Sequence, residues 1–187
     1  MTFKTIENVA IRRITAVVPS HTIDNLNVPD EFLKSRKRLV RNIGIRYRRI
    51  CAAGQIFSDL GQYSCEQTLN FLKWEPNTID ALIMVTQSSE YIIPSTSIIL
   101  QNRLNLPEKC LAFDINLGCS GFPYGIMTGA SLLDGINIKR ILLVIGDQSA
   151  SNGATDQGRE VLFGDACSVV ALEHDKKAQK IFFEGFS

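Results

Sequence analysis

The sequence predicts a layered α/β domain on a mixed, largely parallel sheet. Two features of the chain carry that expectation. Short apolar runs alternate with longer segments of helical period, the order expected when strands are joined by crossover helices. Two of those runs, 79–85 and 110–115, read as strands buried on both faces, which parallel sheets require. Composition agrees: 45% of the 187 residues are hydrophobic and 21% charged, near globular averages, and the length supplies one sizeable core.

The elements follow in order. Ile11 to Val18 is rich in β-branched residues and ends at Pro19, as a strand does. Pro29 to Arg36 reads as a short helix opened by proline, and Ile43 to Cys51 as an extended segment. Ser58 to Trp74 is a helix with Cys65, Leu69 and Leu72 at i, i+4 and i+7, ended by Pro76. Ile79 to Val85 is a strand, Pro94-Ser95 opens a helix through Leu104, and Cys110 to Ile115 is the next strand. A helix runs from about Cys119 to Leu133 and closes at Asp134-Gly135; Arg140 to Ile145 is again a strand. Cys167 to Leu172 and Lys180 to Phe183 are expected to pair as a hairpin and add an antiparallel edge.

Several function classes are set aside by composition. A net charge of +1 gives no global attraction to nucleic acid or membrane, and no stretch approaches the roughly 20 apolar residues of a bilayer span. The first residues mix charges with apolar side chains, unlike a signal peptide, so a cytoplasmic protein is expected. Five cysteines, an odd number without a C-x-x-C pair, and two histidines, His21 and His174, argue against a disulfide framework and a metal site. Both histidines read as solvated surface residues.

The informative stretch is Ala112-Phe113-Asp114-Ile115-Asn116-Leu117-Gly118-Cys119-Ser120-Gly121-Phe122, where a strand runs into a tight turn and then a helix. A thiol at that junction faces free N–H groups and the positive end of the helix dipole, both of which favour thiolate, the species that attacks thioesters. Gly121, Gly125 and Gly129 make one small face, which suggests close approach of another backbone. Asp114 and Asn116 are expected to hold the turn through backbone hydrogen bonds. A buried free cysteine also serves as a small hydrophobe, so the local pattern leaves both readings of Cys119 open; Cys51, Cys65, Cys110 and Cys167 lie in apolar periodic segments and read as core.

Six segments in order resemble the ketoacyl-carrier-protein synthase III family of the thiolase superfamily: Gly44 to Ile50, Ile93-Pro94-Ser95, Asp114 to Phe122, Val144 to Asp147, Thr155 to Gly158 and Phe163-Gly164-Asp165. The resemblance implies a thiolase-like fold, one half of a five-layered sandwich with helices on both faces of the sheet. Residues 1–187 would form its amino-terminal domain. The carboxy-terminal half, which supplies a histidine and an asparagine, lies outside these residues, so this length alone is not expected to condense. The implied reaction is a decarboxylative Claisen condensation in fatty acid or related biosynthesis: Cys119 takes an acyl group from acyl-coenzyme A or another thioester, and the carbanion of a malonyl-carrier-protein attacks it. Histidine and asparagine would stabilise the enolate, and backbone N–H groups including that of Cys119 the oxyanion. Implied partners are acyl-carrier-protein and a second copy in a homodimer, with no nucleic acid, no membrane and no cofactor beyond the acyl thioester itself.

The resemblance also assigns substrate contacts. Arg38 stands where the family often has a tryptophan stacked on the coenzyme A adenine. Gln157 replaces an arginine that helps sandwich it, with Arg159 nearby. Arg46 belongs to a basic run of Lys34, Arg36, Lys37, Arg38, Arg41, Arg46, Arg48 and Arg49, with no acidic residue between Glu31 and Asp59. Such a run suits phosphates or an acidic carrier protein, or simply a solvated cationic face. Ile93 occupies a position that shapes the acyl pocket, and a side chain smaller than the usual aromatic there suits a longer or branched acyl group. Asp165 reads as a structural residue at a strand-entry turn. The competing functions are a cysteine acyltransferase that acts on hydroxyls or amines without forming a carbon–carbon bond, and a non-catalytic subunit that keeps the fold.

Overall fold

A computed structural model describes residues 2–135, 137–149 and 159–185. Its centre is a five-stranded sheet of β2 (Val9–Val17), β5 (Ala81–Val85), β6 (Leu111–Ile115), β7 (Arg140–Gln148) and β8 (Asp165–His174), in the spatial order β2-β8-β7-β5-β6. The pairs β5–β6 and β5–β7 are parallel, whereas β8 is antiparallel to both β7 and β2. Four of the five strands therefore run one way, and the sheet is mixed and mostly parallel by direction. Every residue of β5 is buried, as expected for a central strand covered on both faces.

Helices cover the sheet on two sides. On one face Leu82, Met84, Leu142, Val144 and Val169 pack with α2 (Phe57–Leu72) and α3 (Thr96–Arg103) through Phe57, Leu60, Cys65, Leu69 and Leu100. On the other, Ile83, Val85, Ile141, Leu143 and Leu172 pack with α4 (Gly121–Gly135) through Ile126, Ala130 and Leu133. The period of two along the strands sorts alternate residues to the two faces.

Two expectations are corrected. The last strand, β9 (Ile181–Gly185), does not form a hairpin with β8; it pairs antiparallel with β1 (Thr2–Ile6). Both edges of β8 are already taken by β7 and β2, so no edge remains for β9. The helix after Pro29 is not short: α1 spans Asp30–Ile43, which displaces the start of the extended segment. Gly44 ends it at φ +76, its N–H donating to the Val40 carbonyl, in a left-handed conformation that glycine adopts cheaply. The strand after it, β4 (Tyr47–Ile50), pairs with β3 (His21–Asp24).

The end of the sheet that carries the N-terminus of β7 is fastened by charge. Arg12 Nε donates to Glu173 Oε2 at 2.6 Å and Arg12 Nη2 to Asp175 Oδ2 at 2.8 Å, while Arg140 Nε donates to Glu173 Oε1 at 3.0 Å. The Arg140 guanidinium also lies 4.6 Å from the centre of the Trp74 ring. Burial pushes the Glu173 carboxyl up, but the hydrogen bonds from Arg12 and Arg140 outweigh it and hold the group below its ordinary 4.5. A depressed carboxylate binds protons more readily in the unfolded chain. Its stabilisation is therefore complete above about pH 5 and is lost as pH falls through the folded value. Glu173→Gln should lower stability by about 1–2 kcal/mol near pH 7. The difference from the parent should shrink below about pH 4, as read from urea midpoints at the two pH values.

Candidate functional site

The strand β6 delivers the chain into the candidate site. After Ile115 the backbone turns through Asn116–Ser120, closed by the Gly121 N–H donating to the Gly118 carbonyl at 2.7 Å. The Ser120 carbonyl then accepts the Tyr124 N–H at 3.2 Å, the first bond of the helical pattern. Cys119 thus lies in the strand-to-helix turn, two residues before α4 begins, and its side chain is exposed. Among the described residues the N–H groups of Cys119 and Ser120 have no hydrogen-bond acceptor, so both can be directed at an incoming group.

Of the five free cysteines only Cys119 is exposed. Burial pushes Cys51 and Cys167 up to about 12, with nearby Asp165 adding to the effect at Cys51; it pushes Cys110 up to about 11 and raises Cys65 well above its ordinary value. Those four are core residues, as their apolar periodic settings predict.

The small face of α4 has a different partner from the one expected. Gly121, Gly125 and Gly129 lie against side chains of the sheet, not another backbone: Val85, Leu143 and Leu172 respectively fill the space that a Cβ would need. At Gly121 an added Cβ would fall 2.5 Å from Val85 Cγ1, on a buried residue of the central strand. Gly121→Ala must push α4 off the sheet at the turn that carries Cys119. It should cost about 1–3 kcal/mol and slow alkylation of Cys119 measurably, as checked by thermal melting and iodoacetamide labelling.

Asp114 does not hold the nucleophile turn. Its two oxygens accept the Thr96 and Ser97 N–H groups at 2.9 Å each, which caps the N-terminus of α3. Asn116 is exposed. What braces the turn from the side is the segment after β5. Asp147 Oδ1, at the end of β7, accepts the Gln87 N–H at 2.6 Å, the Thr86 hydroxyl at 3.0 Å and the Ser88 hydroxyl at 3.2 Å. The Gln87 backbone is so held, and its carboxamide lies at Gly118, with Oε1 2.9 Å from where a Cβ would stand. Gln87 also lines a cleft of about 300 Å³ with Ser88, Ser89, Glu90, Gln148, Ile56 and Tyr91, so this cleft opens beside the Cys119 turn. A larger cleft, about 540 Å³, lies between the C-terminal ends of α2 and α3 and is lined by none of these groups.

Two of the segments that carried the resemblance, Gly44 to Ile50 and Phe163-Gly164-Asp165, meet. Arg48 Nη1 donates to the Phe163 carbonyl at 2.8 Å, and the Cys51 N–H donates to Asp165 Oδ2 at 2.8 Å. Asp165 is buried at the first position of β8, a structural role as expected. Asn25, which the sequence reading passed over, lies beneath them. Its side chain donates to the carbonyls of Ile45 and Val161 at 3.0 Å each and accepts from Arg48 Nε at 2.8 Å. Position 25 follows an aspartate at the end of β3, a turn signal in the sequence, but nothing local marks it as buried.

Of the expected substrate contacts, Arg38, Arg46 and Ile93 are described with their side chains. Arg38 is exposed on α1, beside Lys34, Lys37 and Arg41. Arg46 is engaged internally: it pairs with Asp24 at 3.0 Å and lies 5.0 Å from the centre of the Tyr47 ring. Ile93 precedes Pro94 and is 85% exposed within this chain. Gln157 lies outside the described residues, as does the whole segment Thr155 to Gly158, and of Arg159 only the backbone is described, at the start of the short helix α5 (Arg159–Leu162). His21 is exposed on β3, whereas His174 is half-buried with Nδ1 3.3 Å from the Leu133 carbonyl, a structural contact instead of a solvated one. Among the described residues no group of three His, Cys, Asp or Glu could hold a metal ion, and no helix is long and apolar enough to cross a membrane.

Comparison with known proteins agrees with this geometry. Residues 113–185 match the family model of 3-oxoacyl-[acyl-carrier-protein (ACP)] synthase III. A Campylobacter jejuni protein provisionally assigned as a 3-oxoacyl-[acyl-carrier-protein] synthase 3 is 36% identical over 168 residues, 87% of this chain and 47% of its own length. Beta-ketoacyl-[acyl-carrier-protein] synthase III 2 of Bacillus cereus is 30% identical over 88% of this chain and 51% of its own length. The crystal structure of a 3-oxoacyl-(acyl-carrier protein) synthase from Burkholderia xenovorans LB400 superposes with a TM-score of 0.89 at 35% identity, over 97% of this chain and 52% of that one. The sheet order, the Cys119 turn and these alignments carry one conclusion: the chain belongs to the 3-oxoacyl-[acyl-carrier-protein] synthase III family and spans about half the length of the curated relatives it matches.

Proposed function

We propose that Cys119 is the acyl-accepting nucleophile of a condensing enzyme, taking an acyl group from a thioester and passing it to the carbanion of a malonyl-carrier-protein. The observation that carries this reading is an exposed thiol in the turn between β6 and α4, with two N–H groups, its own and that of Ser120, that have no acceptor among the described residues. In the acyl-transfer steps those N–H groups meet the charge that develops on the carbonyl oxygen. The decarboxylation step calls for a histidine and an asparagine; neither His21, exposed, nor His174, bound to the Leu133 carbonyl, suits it.

The exposed cations of α1 support an acyl-carrier-protein as partner. Lys34, Lys37, Arg38 and Arg41 stand three, four and seven residues apart, on one side of a helix none of whose residues is buried. Arg46, Arg48 and Arg49 instead make hydrogen bonds within the chain. A homodimer is proposed through β6, whose outer edge is unpaired among the described residues. Five free thiols support a reducing compartment, the cytoplasm.

The test is intact-mass detection of an acyl adduct after incubation with short acyl-coenzyme A donors, followed by addition of malonyl-carrier-protein or of small alcohols and amines. An adduct on Cys119 that malonyl-carrier-protein converts to a ketoacyl product is the expected result. An adduct released only by alcohols or amines points to acyl transfer without carbon–carbon bond formation. Absence of any adduct, with Cys119 still open to alkylation, ends the reading.

A further inference from the structure

We propose that the cleft beside the Cys119 turn selects a donor whose acyl chain carries a hydroxyl close to the thioester carbonyl; this rests on the acyl-transfer reading of Cys119. The lining is unusual for a plain alkyl group. Five of its residues are polar: Gln87, Ser88, Ser89, Glu90 and Gln148. An alkyl chain seated there would strip water from these groups and return no hydrogen bond.

Three of these residues, Ser88, Glu90 and Gln148, are also fixed in place. Ser88 Oγ is held by Asp147 and accepts the Gln148 N–H at 3.0 Å; Gln148 Nε2 donates to the Gln55 carbonyl at 2.7 Å. Glu90 Oε1 accepts the Ser58 N–H at 2.8 Å. Gln87 matters most. Its backbone is pinned by Asp147, and its carboxamide occupies the space at Gly118, the residue before the nucleophile. A carboxamide both donates and accepts, which matches a hydroxyl. Because it lies beside the nucleophile turn, the hydroxyl it meets belongs on the first carbons of the acyl chain. The volume, about 300 Å³, suits a short acyl group.

The step is ordinary acyl transfer. The Cys119 sulfur attacks the thioester carbonyl and forms a new carbon–sulfur bond. The carbon–sulfur bond to coenzyme A breaks, and coenzyme A leaves as a thiol with the proton that Cys119 gave up. The hydroxyl of the acyl chain is unchanged.

The experiment compares 3-hydroxybutyryl-coenzyme A with butyryl-coenzyme A as donors to the native protein, following the mass adduct on Cys119 over time. The hydroxyacyl donor should react about tenfold faster, the worth of one well-placed hydrogen bond, and Gln87→Leu should bring the ratio near one. Equal rates, or faster butyryl transfer, would overturn the proposal while acyl transfer at Cys119 stands. A ratio that Gln87→Leu leaves unchanged would also overturn it. No adduct from either donor would instead remove the acyl-transfer reading beneath it. Should the variant not fold, the donor ratio of the unaltered protein decides.

Discussion

Cys119→Ala should abolish iodoacetamide labelling of the folded protein and every acyl adduct with it. The four remaining thiols are buried, and burial pushes Cys51, Cys110 and Cys167 to about 11 or 12 and raises Cys65 well above its ordinary value. Near pH 7.5 such a thiol is ionised to no more than about one part in a few thousand, and it meets reagent only when the fold opens locally. Together these should leave labelling of the variant at least a thousandfold slower than that of the parent. The parent should take up one label per chain, at Cys119, within the time in which free cysteine reacts. Uptake of a label by Cys119→Ala at the parental rate would mean that a second thiol is open, and the assignment of the nucleophile would lose its physical basis. The readout needs no knowledge of the donor or of the second step.

The legible part of this fold was local. The central strand β5 announces itself as an apolar run, and α4 by its Gly-spaced face and closing Asp134-Gly135. The turn at Cys119 follows from a strand, a glycine and a helix in succession, and the structure places the thiol there, exposed. What the chain hid was non-local. Nothing in residues 181–185 says that their partner is the first strand, because pairing depends on which edges the rest of the sheet leaves open. The length of α1 was readable in principle from Gly44, the left-handed cap eight residues beyond the expected end at Arg36. The polar cleft was hidden for the same reason as the β9 pairing. It joins the N-terminus of α2, the loop after β5 and the end of β7, segments that are about 30 and 60 residues apart in the chain. Asp114 shows the converse error. A carboxylate near the nucleophile suggested service to its own turn, whereas the strand turns it toward a helix start eighteen residues earlier.

Asn25→Ala should lower stability by about 3 kcal/mol, more than any other substitution outside the hydrophobic core considered above. Asn25 is 3% exposed and its carboxamide uses both N–H groups and its oxygen at once: to Ile45, to Val161 and from Arg48. Alanine removes the partner of two carbonyls and of the Arg48 Nε–H in a site where water must enter or the segments must part, at about 1 kcal/mol each. The segments concerned are the turn after α1, the short helix α5 and the start of β8, where Arg48 and Asp165 add two further ties. Loss of Asn25 should therefore loosen one block, residues 44–51 with 161–165, before the sheet yields. Hydrogen exchange should show it as faster exchange confined to those residues, with β5 and β7 unchanged. Asn25→Asp separates size from chemistry. It keeps the acceptor for Arg48 but loses both N–H donors and sets a carboxylate against two carbonyls, so it should be at least as damaging as alanine. If Asn25→Ala melted within about 0.5 kcal/mol of the parent, the three bonds would not be what joins these segments. The contact between the basic turn and the strand entry would then have to rest on Arg48 and Asp165 alone.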